Sequence, residues 1–361
     1  MRYSIEMQSQ KPAYMQLYEQ LRRDIVSGVY SLGGKLPSKR LLAEETGVSV
    51  ITVEHAYGIL CDEGYVEARQ RSGYYVIYRE SDFMSGASPA PSHRHAHPAY
   101  QHADSEFPFS ILARTMRRVI LEYGEDLLGR SPNKGCPELR LAIVAYLARS
   151  CGITAHPDQI VIGSGAEYLY SLIVQLLGND RIYGVEDPCY EKIRQVYKAN
   201  GATVKALKMG SNGIDGRALQ KSSVNVLHVT PFHSFPSGVT ADVSKRMEYL
   251  RFIRQRNGFI IEDNYDSELT VSRKNEDTVF SLSSDGSVIY LNTFSRTVAP
   301  SIRVGYMVLP EKLLPDFEKK LGFYACTVPA FEQYVLAELL TSGDFERHIN
   351  RIRRKRRKAQ S

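Results

Sequence analysis

Five short apolar runs, each bounded by polar residues, most constrain the fold of this 361-residue chain. Their Val, Ile and Leu content is typical of strands that are buried on both faces. Segments between them place apolar residues at helical spacing. The alternation predicts an α/β domain with a mostly parallel central sheet and helices on its faces. The runs are Q-I-V-I-G-S at 159–164, R-I-Y-G-V-E at 181–186, V-N-V-L-H-V-T at 224–230, F-I-I-E-D at 259–263 and V-I-Y-L-N-T-F at 288–294.

Residues that directly follow these strands are the candidates for ligand binding, because ligands collect at the carboxyl ends of parallel strands. G-S-G-A-E at 163–167 opens a helix, so its backbone N–H groups and Ser164 are suited to a phosphate, although the pattern is equally an ordinary strand-to-helix turn. The other candidates are Tyr190, His233, Asp263, Tyr265, the S-R-T stretch at 295–297 and Arg303. An acid, a phenol, an aromatic face and phosphate donors match a phosphorylated pyridine cofactor. Taken singly, Asp263 is equally compatible with a helix cap and Tyr190 with a place in the core.

The first 78 residues predict a small α+β domain of another kind. Residues 11–27 have helical periodicity, and Ser38 and Ser49 are candidate N-caps for two short helices separated by Gly47. Leu41 and Leu42 are expected to face inward. Two β-rich runs, Y-V-E-A-R and G-Y-Y-V-I-Y, then form a hairpin. The series predicts a winged helix-turn-helix over residues 1–78.

This order of elements favours binding of double-stranded DNA over a purely structural role. Residues 1–78 contain nine basic and nine acidic residues, so local placement must create the contact surface. Three groups are predicted to contact DNA: Ser38, Lys39 and Arg40 at phosphates or base edges; Ser49, Ile51 and Thr52 in the major groove; and Arg69, Arg71 and Gly73 in the wing.

Residues 79–106 are predicted to form a flexible linker, because Ser, Pro, Ala and Gly dominate and periodicity is lost. Its histidines, His93, His95, His97 and His102, are interpreted as incidental, and no metal site is expected. The five cysteines form no C-x-x-C pair, which argues against a zinc site or a disulfide framework. No apolar run approaches the ~20 residues that span a bilayer, so a cytoplasmic location is expected.

The net charge of +6 does not itself indicate DNA binding. Eight basic residues and no acidic ones lie between Arg347 and Ser361, so the rest of the chain is slightly acidic. Such a run can contact phosphates, but a solvated helix face is the simpler interpretation.

Specific motifs make the first domain resemble GntR-type winged-helix regulators: L-P-S-K-R-L-L-A-E-E-T-G-V-S, T-V-E-H-A-Y, L-C-D-E-G-Y-V and R-S-G-Y-Y-V. The rest, residues 107–361, resembles the fold-type I aminotransferases, through E-D-P-C-Y, T-P-F-H-S-F-P-S-G, I-E-D-N-Y-D-S-E and N-T-F-S-R-T-V-A-P-S-I-R-V-G-Y. Together they resemble the MocR subfamily. The resemblance implies pyridoxal 5'-phosphate as cofactor, with these roles: Ser164, Gly165, Ser295 and Arg303 at the phosphate, Tyr190 stacked on the ring, Asp263 at the ring nitrogen, Tyr265 at the ring hydroxyl and His233 beside the cofactor.

Three departures from the family pattern matter. Val50 stands where such regulators commonly have an arginine after the serine that opens the recognition helix. Arg296 stands where the family has the lysine that binds the cofactor covalently, and a guanidinium cannot replace that amine. The small C-terminal domain of the family fold is also missing from the sequence, which is interpreted as a C-terminally truncated domain.

The predicted function is therefore a DNA-binding transcriptional regulator. Its aminotransferase-like domain would sense pyridoxal phosphate and an amino-compound effector, form a homodimer and lack catalytic residues. Two alternatives remain: an aminotransferase with an accessory DNA-binding domain, and a regulator whose cofactor site no longer binds. The operator, the regulated genes and the effector are not encoded in any recognisable motif.

Overall fold

The computed structural model describes residues 3–6, 11–70, 72–79, 107–265, 267–269 and 277–360. For Ala359 and Gln360 it describes the backbone only. Contacts between residues divide the chain into two compact units, Met1–Pro98 and Ala99–Ser361. This division falls within the segment predicted to be a linker, of which residues 80–106 and their four histidines lie outside the described residues.

The first unit is a winged helix, as predicted. Its elements are α1 (Ala13–Val26), α2 (Lys39–Thr46), α3 (Val50–Asp62), β1 (Val66–Arg69) and β2 (Gly73–Val76). The two strands pair antiparallel, and an isolated bridge joins Lys35 to Tyr75.

Apolar side chains from all three helices and both strands form one core in this unit. Leu17, Val53 and Tyr57 are fully buried, and the Tyr57 hydroxyl donates to the carbonyl oxygen of Pro37 at 2.8 Å. The expectation for Leu41 was wrong, since its side chain is 48% exposed while Leu42 is buried. Neighbouring residues on a helix point about 100° apart. The eight-residue α2 therefore cannot turn both leucines towards a single partner helix.

The second unit has the predicted α/β architecture. Its helices are α4 (Phe109–Tyr123), α5 (Pro137–Ser150), α6 (Ala166–Leu177), α7 (Glu191–Ala199), α8 (Gly216–Lys221), α9 (Val243–Arg254), α10 (Val279–Leu282), α11 (Leu314–Leu321), α12 (Ala330–Thr341) and α13 (Asp344–Gln360). Its strands are β3 (Ile160–Gly163), β4 (Ile182–Asp187), β5 (Thr203–Gly210), β6 (Gly213–Ile214), β7 (Val226–Val229), β8 (Phe259–Asp263), β9 (Val288–Thr293) and β10 (Gly305–Val308).

The eight strands form one sheet in the order β3-β10-β9-β8-β7-β4-β5-β6. The contiguous series β9, β8, β7, β4 and β5 is parallel, whereas β10 runs antiparallel to both of its neighbours and β6 runs antiparallel to β5. The five predicted strands correspond to β3, β4, β7, β8 and β9. The sequence patterns did not predict β5, β6 or β10.

Helices cover both faces of the sheet, and alternate strand residues enter different cores. On β9, Ile289 and Leu291 pack with α6, α7 and α11, whereas Val288 and Tyr290 pack into clusters on the other side. This alternation follows from the two-residue repeat of a strand. Because both faces are buried, the strands present few polar side chains except at their ends.

One edge of the sheet gathers the residues predicted to bind a ligand. The carboxyl ends of the parallel strands lie there, including Asp187, Asp263 and Thr293. Gly305 pairs with both Gly163 and Thr293, so the amino end of the antiparallel β10 lies at the same edge. Arg303 reaches this edge by preceding a strand and not by following one.

Two further findings concern the described residues as a whole. Among them, no helix combines the length and the apolar character that a membrane crossing requires. Within the same residues, no group of three or more His, Cys, Asp or Glu side chains is arranged to hold a metal ion.

The start of β8 gives a test of this packing. A Cβ atom at Gly258 would lie 2.1 Å from the carbonyl oxygen of Asn225, which accepts a hydrogen bond from the N–H of Phe259. We expect Gly258→Ala to lower the free energy of unfolding of the second unit by about 2 kcal/mol or more, because backbone must move. Urea unfolding measures this change in the free energy of unfolding. Gly210→Ala, whose Cβ would meet only ordinary contacts at 3.4 Å or more, is the matched control. Equal effects would contradict the packing described.

Candidate functional site

Serine side chains fix the N-termini of both helices of the helix-turn-helix. Ser38 Oγ accepts a hydrogen bond from the N–H of Leu41 at 3.2 Å, and Ser49 Oγ accepts one from the N–H of Thr52 at 3.1 Å. Gly47 ends α2 with a left-handed φ of 69°. Ser38 and Ser49 were predicted as caps from sequence, and both predictions are confirmed.

The first turn of α3 presents apolar and hydroxyl groups to solvent. Ile51 is 70% exposed, Val50 is also exposed, and the hydroxyls of Ser49 and Thr52 lie 2.9 Å apart. Exposed apolar side chains of this kind can contact the methyl group of thymine in the major groove, and hydroxyls can bond to base edges. With Val50 in place of an arginine, the first turn of α3 offers no positive charge to a phosphate or a guanine.

The cations at the start of α2 differ in their surroundings. Lys39 Nζ donates to Glu54 Oε1 on α3 at 2.7 Å, and this hydrogen bond raises the pKa of the lysine. A DNA phosphate would have to compete with that carboxylate. Arg40 is exposed, so it is the stronger candidate for a phosphate contact.

The wing contains a basic cluster around one tyrosine. The Arg69 guanidinium lies 4.4 Å from the centre of the Tyr75 ring, and its Nε donates to Glu67 Oε1 at 2.6 Å. Lys35 Nζ lies 5.9 Å from the same ring, and Gly73 has a φ of 116°. Sequence patterns did not single out Lys35, which lies between α1 and α2 and reaches the wing through its bridge to Tyr75. Arg71 lies outside the described residues.

A cavity of about 420 Å³ opens at the sheet edge of the second unit. Four of its thirteen lining residues are aromatic, and the others include two arginines, two carboxylates and several hydroxyls. The lining residues are Ala166, Glu167, Tyr170, Tyr190, Ile193, Thr230, Phe235, Asp263, Tyr265, Thr293, Ser295, Arg296 and Arg303. Of the residues predicted for the cofactor, Tyr190, Asp263, Tyr265, Ser295 and Arg303 are brought together here, whereas Ser164, Gly165 and His233 are not among the lining residues.

Asp263, the last residue of β8, is the most buried acid of the cavity, with 3% of its surface exposed. The hydroxyl of Tyr170 on α6 donates to Asp263 Oδ2. Burial, followed by the nearby Asp263 charge, raises the pKa of Tyr170 well above its usual value, so the tyrosine stays a donor. Among the described residues, Oδ1 of Asp263 has no hydrogen-bond partner. That oxygen is a buried acceptor that these residues leave unsatisfied.

A buried histidine stands behind Asp263. His228 Nε2 lies 3.6 Å from Asp263 Oδ2, and His228 Nδ1 lies 2.6 Å from the hydroxyl of Tyr197. Burial raises the pKa of Tyr197 well above its usual value, so that hydroxyl stays protonated. Neither His228 nor Tyr197 is among the residues that line the cavity.

A second group of residues lies where β3 turns into α6. Gly165 has a φ of 87°, and a Cβ there would lie 3.0 Å from Nη2 of Arg303. Arg303 Nη2 is 3.4 Å from Glu167 Oε2, while Glu167 Oε1 accepts from Lys192 Nζ at 2.8 Å. The absence of a side chain at Gly165 thus lets the guanidinium approach the N-terminus of a twelve-residue helix, which suits an anion.

Hydroxyl groups flank this position. Ser295 Oγ donates to the carbonyl oxygen of Ile302 at 2.8 Å, which fixes the loop between β9 and β10. Ser164 Oγ lies 3.1 Å from Oγ1 of Thr327. Thr327 was not found from sequence, because it belongs to the segment before α12 and approaches only through the fold.

The loop after β7 is held by a buried carboxylate. Glu186, on β4, accepts hydrogen bonds from the N–H of Thr230 at 3.1 Å and from the hydroxyl of Ser234. Burial raises the pKa of Glu186 to about 7. Thr230 and Phe235 of this loop line the cavity.

His233, in the same loop, is placed differently from expectation. It has a left-handed φ of 50°, its side chain is exposed, and its carbonyl oxygen accepts from the Tyr265 hydroxyl at 3.3 Å. Phe235, two residues later, lies 6.4 Å from Tyr190 between ring centres. The signal for Phe235 was present in T-P-F-H-S-F-P-S-G, but a sequence alone does not give the direction of each side chain in a loop.

The residues present fit pyridoxal 5'-phosphate in three respects. Oδ1 of Asp263, which has no hydrogen-bond partner among the described residues, is an acceptor suited to a protonated ring nitrogen. The aromatic lining suits a planar ring, and the cradle at Gly165 and Arg303 suits a phosphate. Tyr170 was missed from sequence, although Glu167 and Tyr170 share one helix face three residues apart.

Comparisons with known proteins agree with both units. Residues 13–76 match the family model "Bacterial regulatory proteins, gntR family", and residues 99–361 match "Aminotransferase class I and II". The chain is 34% identical over 357 residues to the HTH-type transcriptional regulator YdeL of Bacillus subtilis (strain 168), covering 96% of this chain and 77% of YdeL. It is 30% identical over 368 residues to the probable rhizopine catabolism regulatory protein MocR of Rhizobium meliloti, covering 95% and 74%.

Among solved structures, the chain is similar to the kynurenine aminotransferase of Pyrococcus horikoshii. The TM-score is 0.61 and the identity 26%, over 69% of this chain and 64% of that enzyme. This chain therefore spans less than two thirds of the length of that aminotransferase.

The DNA surface is tested by two substitutions. We expect Arg40→Ala to weaken binding to all DNA sequences and to reduce the salt dependence by about one phosphate contact. Thr52→Ala should weaken binding about tenfold to a fragment selected for the unaltered protein, because a base contact is lost. Fluorescence anisotropy at several salt concentrations measures both. Arg23→Ala, which removes the same charge from α1, is the control. Unchanged affinity in both variants would contradict the assigned surface.

Glu186 gives a pH test. Its folded pKa of about 7 lies above the ordinary 4.5, so the folded state binds the proton more tightly. The stabilisation that protonated Glu186 contributes to the folded state is complete below pH 4.5. It falls by roughly 3 kcal/mol between pH 4.5 and 7. Glu186→Gln should remove that decline from the free energy of unfolding of the second unit. Glu122→Gln, at an exposed carboxyl on α4, should leave it in place. An unaltered profile in Glu186→Gln would refute the assignment.

Proposed function

This chain belongs to the MocR subfamily of GntR-type transcriptional regulators, and we propose that its second unit binds pyridoxal 5'-phosphate without a covalent bond. One observation carries the proposal. The cavity combines a buried carboxylate oxygen of Asp263 that has no partner among the described residues with Arg296 at the position of the family's lysine. The first feature retains a site for the ring, and the second removes the covalent attachment.

Several residues would hold the cofactor. Asp263 Oδ1 would accept from the protonated ring nitrogen, the Tyr265 hydroxyl would bond to the ring hydroxyl, and Tyr190 would stack on the ring. Arg303 would exchange its 3.4 Å contact with Glu167 for the phosphate. Ser295 and the N–H groups at the start of α6 lie at the same end. When bound, the cofactor supplies a reactive carbonyl and an electron-withdrawing ring.

Arg296 supports the absence of catalysis. A guanidinium stays protonated and its nitrogen lone pairs are delocalised, so it neither attacks a carbonyl nor moves protons at neutral pH. Aminotransfer requires both steps from one side chain. We therefore propose a regulator without aminotransferase activity.

Regulation requires a ligand to distinguish two states of the protein. We propose that occupancy of the cavity by pyridoxal phosphate, or by the cofactor together with an amino compound, changes the affinity of the winged helix for operator DNA in the cytoplasm. The loop that contributes Thr230 and Phe235 to the cavity supports this, because the buried carboxylate of Glu186 anchors it and a ligand in the cavity would contact it.

We also propose that the second unit forms a homodimer. Three large apolar side chains on α4 and the short 3-10 helix after it are exposed by 78% or more: Phe109, Leu121 and Leu128. Exposed apolar surface of this kind is characteristic of an interface between subunits.

Non-covalent binding is tested by spectroscopic titration with pyridoxal 5'-phosphate. We expect saturable binding by the unaltered protein with no borohydride-trapped adduct at position 296. Arg296→Lys should give an adduct at that position, because the loop that presents residue 296 is retained. Peptide mass mapping after borohydride treatment shows whether each protein carries an adduct at position 296.

Lysines elsewhere on the surface also react with aldehydes, so Arg217→Lys, on exposed α8, is the matched control. It should give no saturable adduct at position 217. Failure of Arg296→Lys to trap the cofactor, or absence of saturable binding by the unaltered protein, would contradict the proposal.

A further inference from the structure

Two guanidinium groups, those of Arg296 and Arg303, line the cavity. A single phosphate with its Ser295 and helix contacts accounts for Arg303. We propose that the cavity prefers a phosphorylated pyridine whose ring substituent already ends in a carboxylate, and that Arg296 pairs with this carboxylate. The inference rests on the proposed function, because it requires the ring and phosphate contacts described there.

The backbone around Arg296 is fixed on both sides. The N–H of Val298 donates to the carbonyl oxygen of Phe294 at 2.8 Å, and each of these residues is 2% exposed. The carbonyl oxygen of the equally buried Thr297 lies 3.0 Å from Nε2 of His348 on α13. The backbone at residue 296 is therefore held by hydrogen bonds of its neighbours, and the Arg296 side chain lines the cavity.

The chemistry of an arginine at this place selects a different ligand from that of a lysine. Its planar fork of N–H donors matches the two oxygens of a carboxylate and forms strong charge-assisted hydrogen bonds. An aldehyde offers only one neutral acceptor, and a ligand ammonium group is repelled. The expected order of affinity is therefore carboxylate, then aldehyde, then amine. Five N–H donors allow the guanidinium to keep contacts within the protein while it binds a ligand.

The acidic side chains of the lining have other partners. Glu167 contacts Lys192 and Arg303, and Asp263 accepts from Tyr170. A bound phosphate that takes over Arg303 leaves Glu167 with Lys192. Arg296, which keeps its contacts within the protein, is the other guanidinium of the lining.

Two kinds of compound carry the required carboxylate. One is the cofactor oxidised at its aldehyde carbon, which has a carboxylate directly on the ring. The other is a conjugate of the cofactor with an amino acid, in which the carboxylate lies three bonds further away. The two sources share one recognition chemistry and differ in reach.

Calorimetric titration of the full chain distinguishes these possibilities with four probes: pyridoxamine 5'-phosphate, pyridoxal 5'-phosphate, 4-pyridoxic acid 5'-phosphate and N-(5'-phosphopyridoxyl)glycine. We expect at least one of the two carboxylates to bind about tenfold more tightly than pyridoxamine 5'-phosphate, as for a charge-assisted pair. The tighter of the two identifies the source. In Arg296→Gln this preference should fall to about one, whereas Arg217→Gln, which removes the same charge from α8, should retain it.

Circular dichroism establishes that the variants are folded, and Arg296→Lys provides a second variant in which the charge is kept but the fork is lost. The preference of Arg296→Lys for the carboxylate probes should lie between that of the unaltered protein and that of Arg296→Gln. Equal binding of all four probes by the unaltered protein, or a preference that survives in Arg296→Gln, would overturn the inference and leave the proposed cofactor site intact. Failure of all four probes to bind would overturn both.

Discussion

The hydrogen bond from Tyr170 to Asp263 is the contact on which the site of the second unit depends. It joins a helix on one face of the sheet to the last residue of a central parallel strand. A buried carboxylate with few partners is costly, since desolvation disfavours its charge. Tyr170 satisfies one oxygen, and His228 lies behind the same oxygen. Among the described residues the other oxygen has no hydrogen-bond partner, so the carboxylate keeps an unused acceptor next to the cavity that Asp263 lines.

The sheet explains why chemically unrelated residues meet there. Parallel strands bring Asp263 and the loop after Thr293 to one edge, and the antiparallel β10 returns Arg303 to it from the opposite direction. The loop around residue 296 is fixed by the neighbouring Phe294, Thr297 and Val298. We propose that an arginine in place of a lysine there retains the binding site and removes its covalent chemistry.

Sequence patterns predicted much of this organisation, because buried parallel strands and capped helices have local signals. The five apolar runs, the caps Ser38 and Ser49 and the wing all appear as expected. The partly exposed β5 and the two-residue β6 lack a continuous apolar signal, whereas the buried β10 was not recognised in its apolar run. Leu41 and His233 show the other limit: the direction of a side chain in a short helix or a loop is decided by tertiary packing. Tyr170, on the longer α6, meets Asp263 only through the packing of that helix on the sheet. Lys35 and Thr327 reach their sites only through contacts between segments distant in sequence.

We propose that Asp263 holds the ring nitrogen of pyridoxal phosphate in its protonated form although no covalent bond is made. Nuclear magnetic resonance of the cofactor labelled with ¹⁵N in the ring tests this role of Asp263. We expect the bound nitrogen to stay protonated at a pH at which the free cofactor has lost that proton, and Asp263→Asn to abolish the difference. A bound nitrogen that titrates like that of the free cofactor would contradict this role.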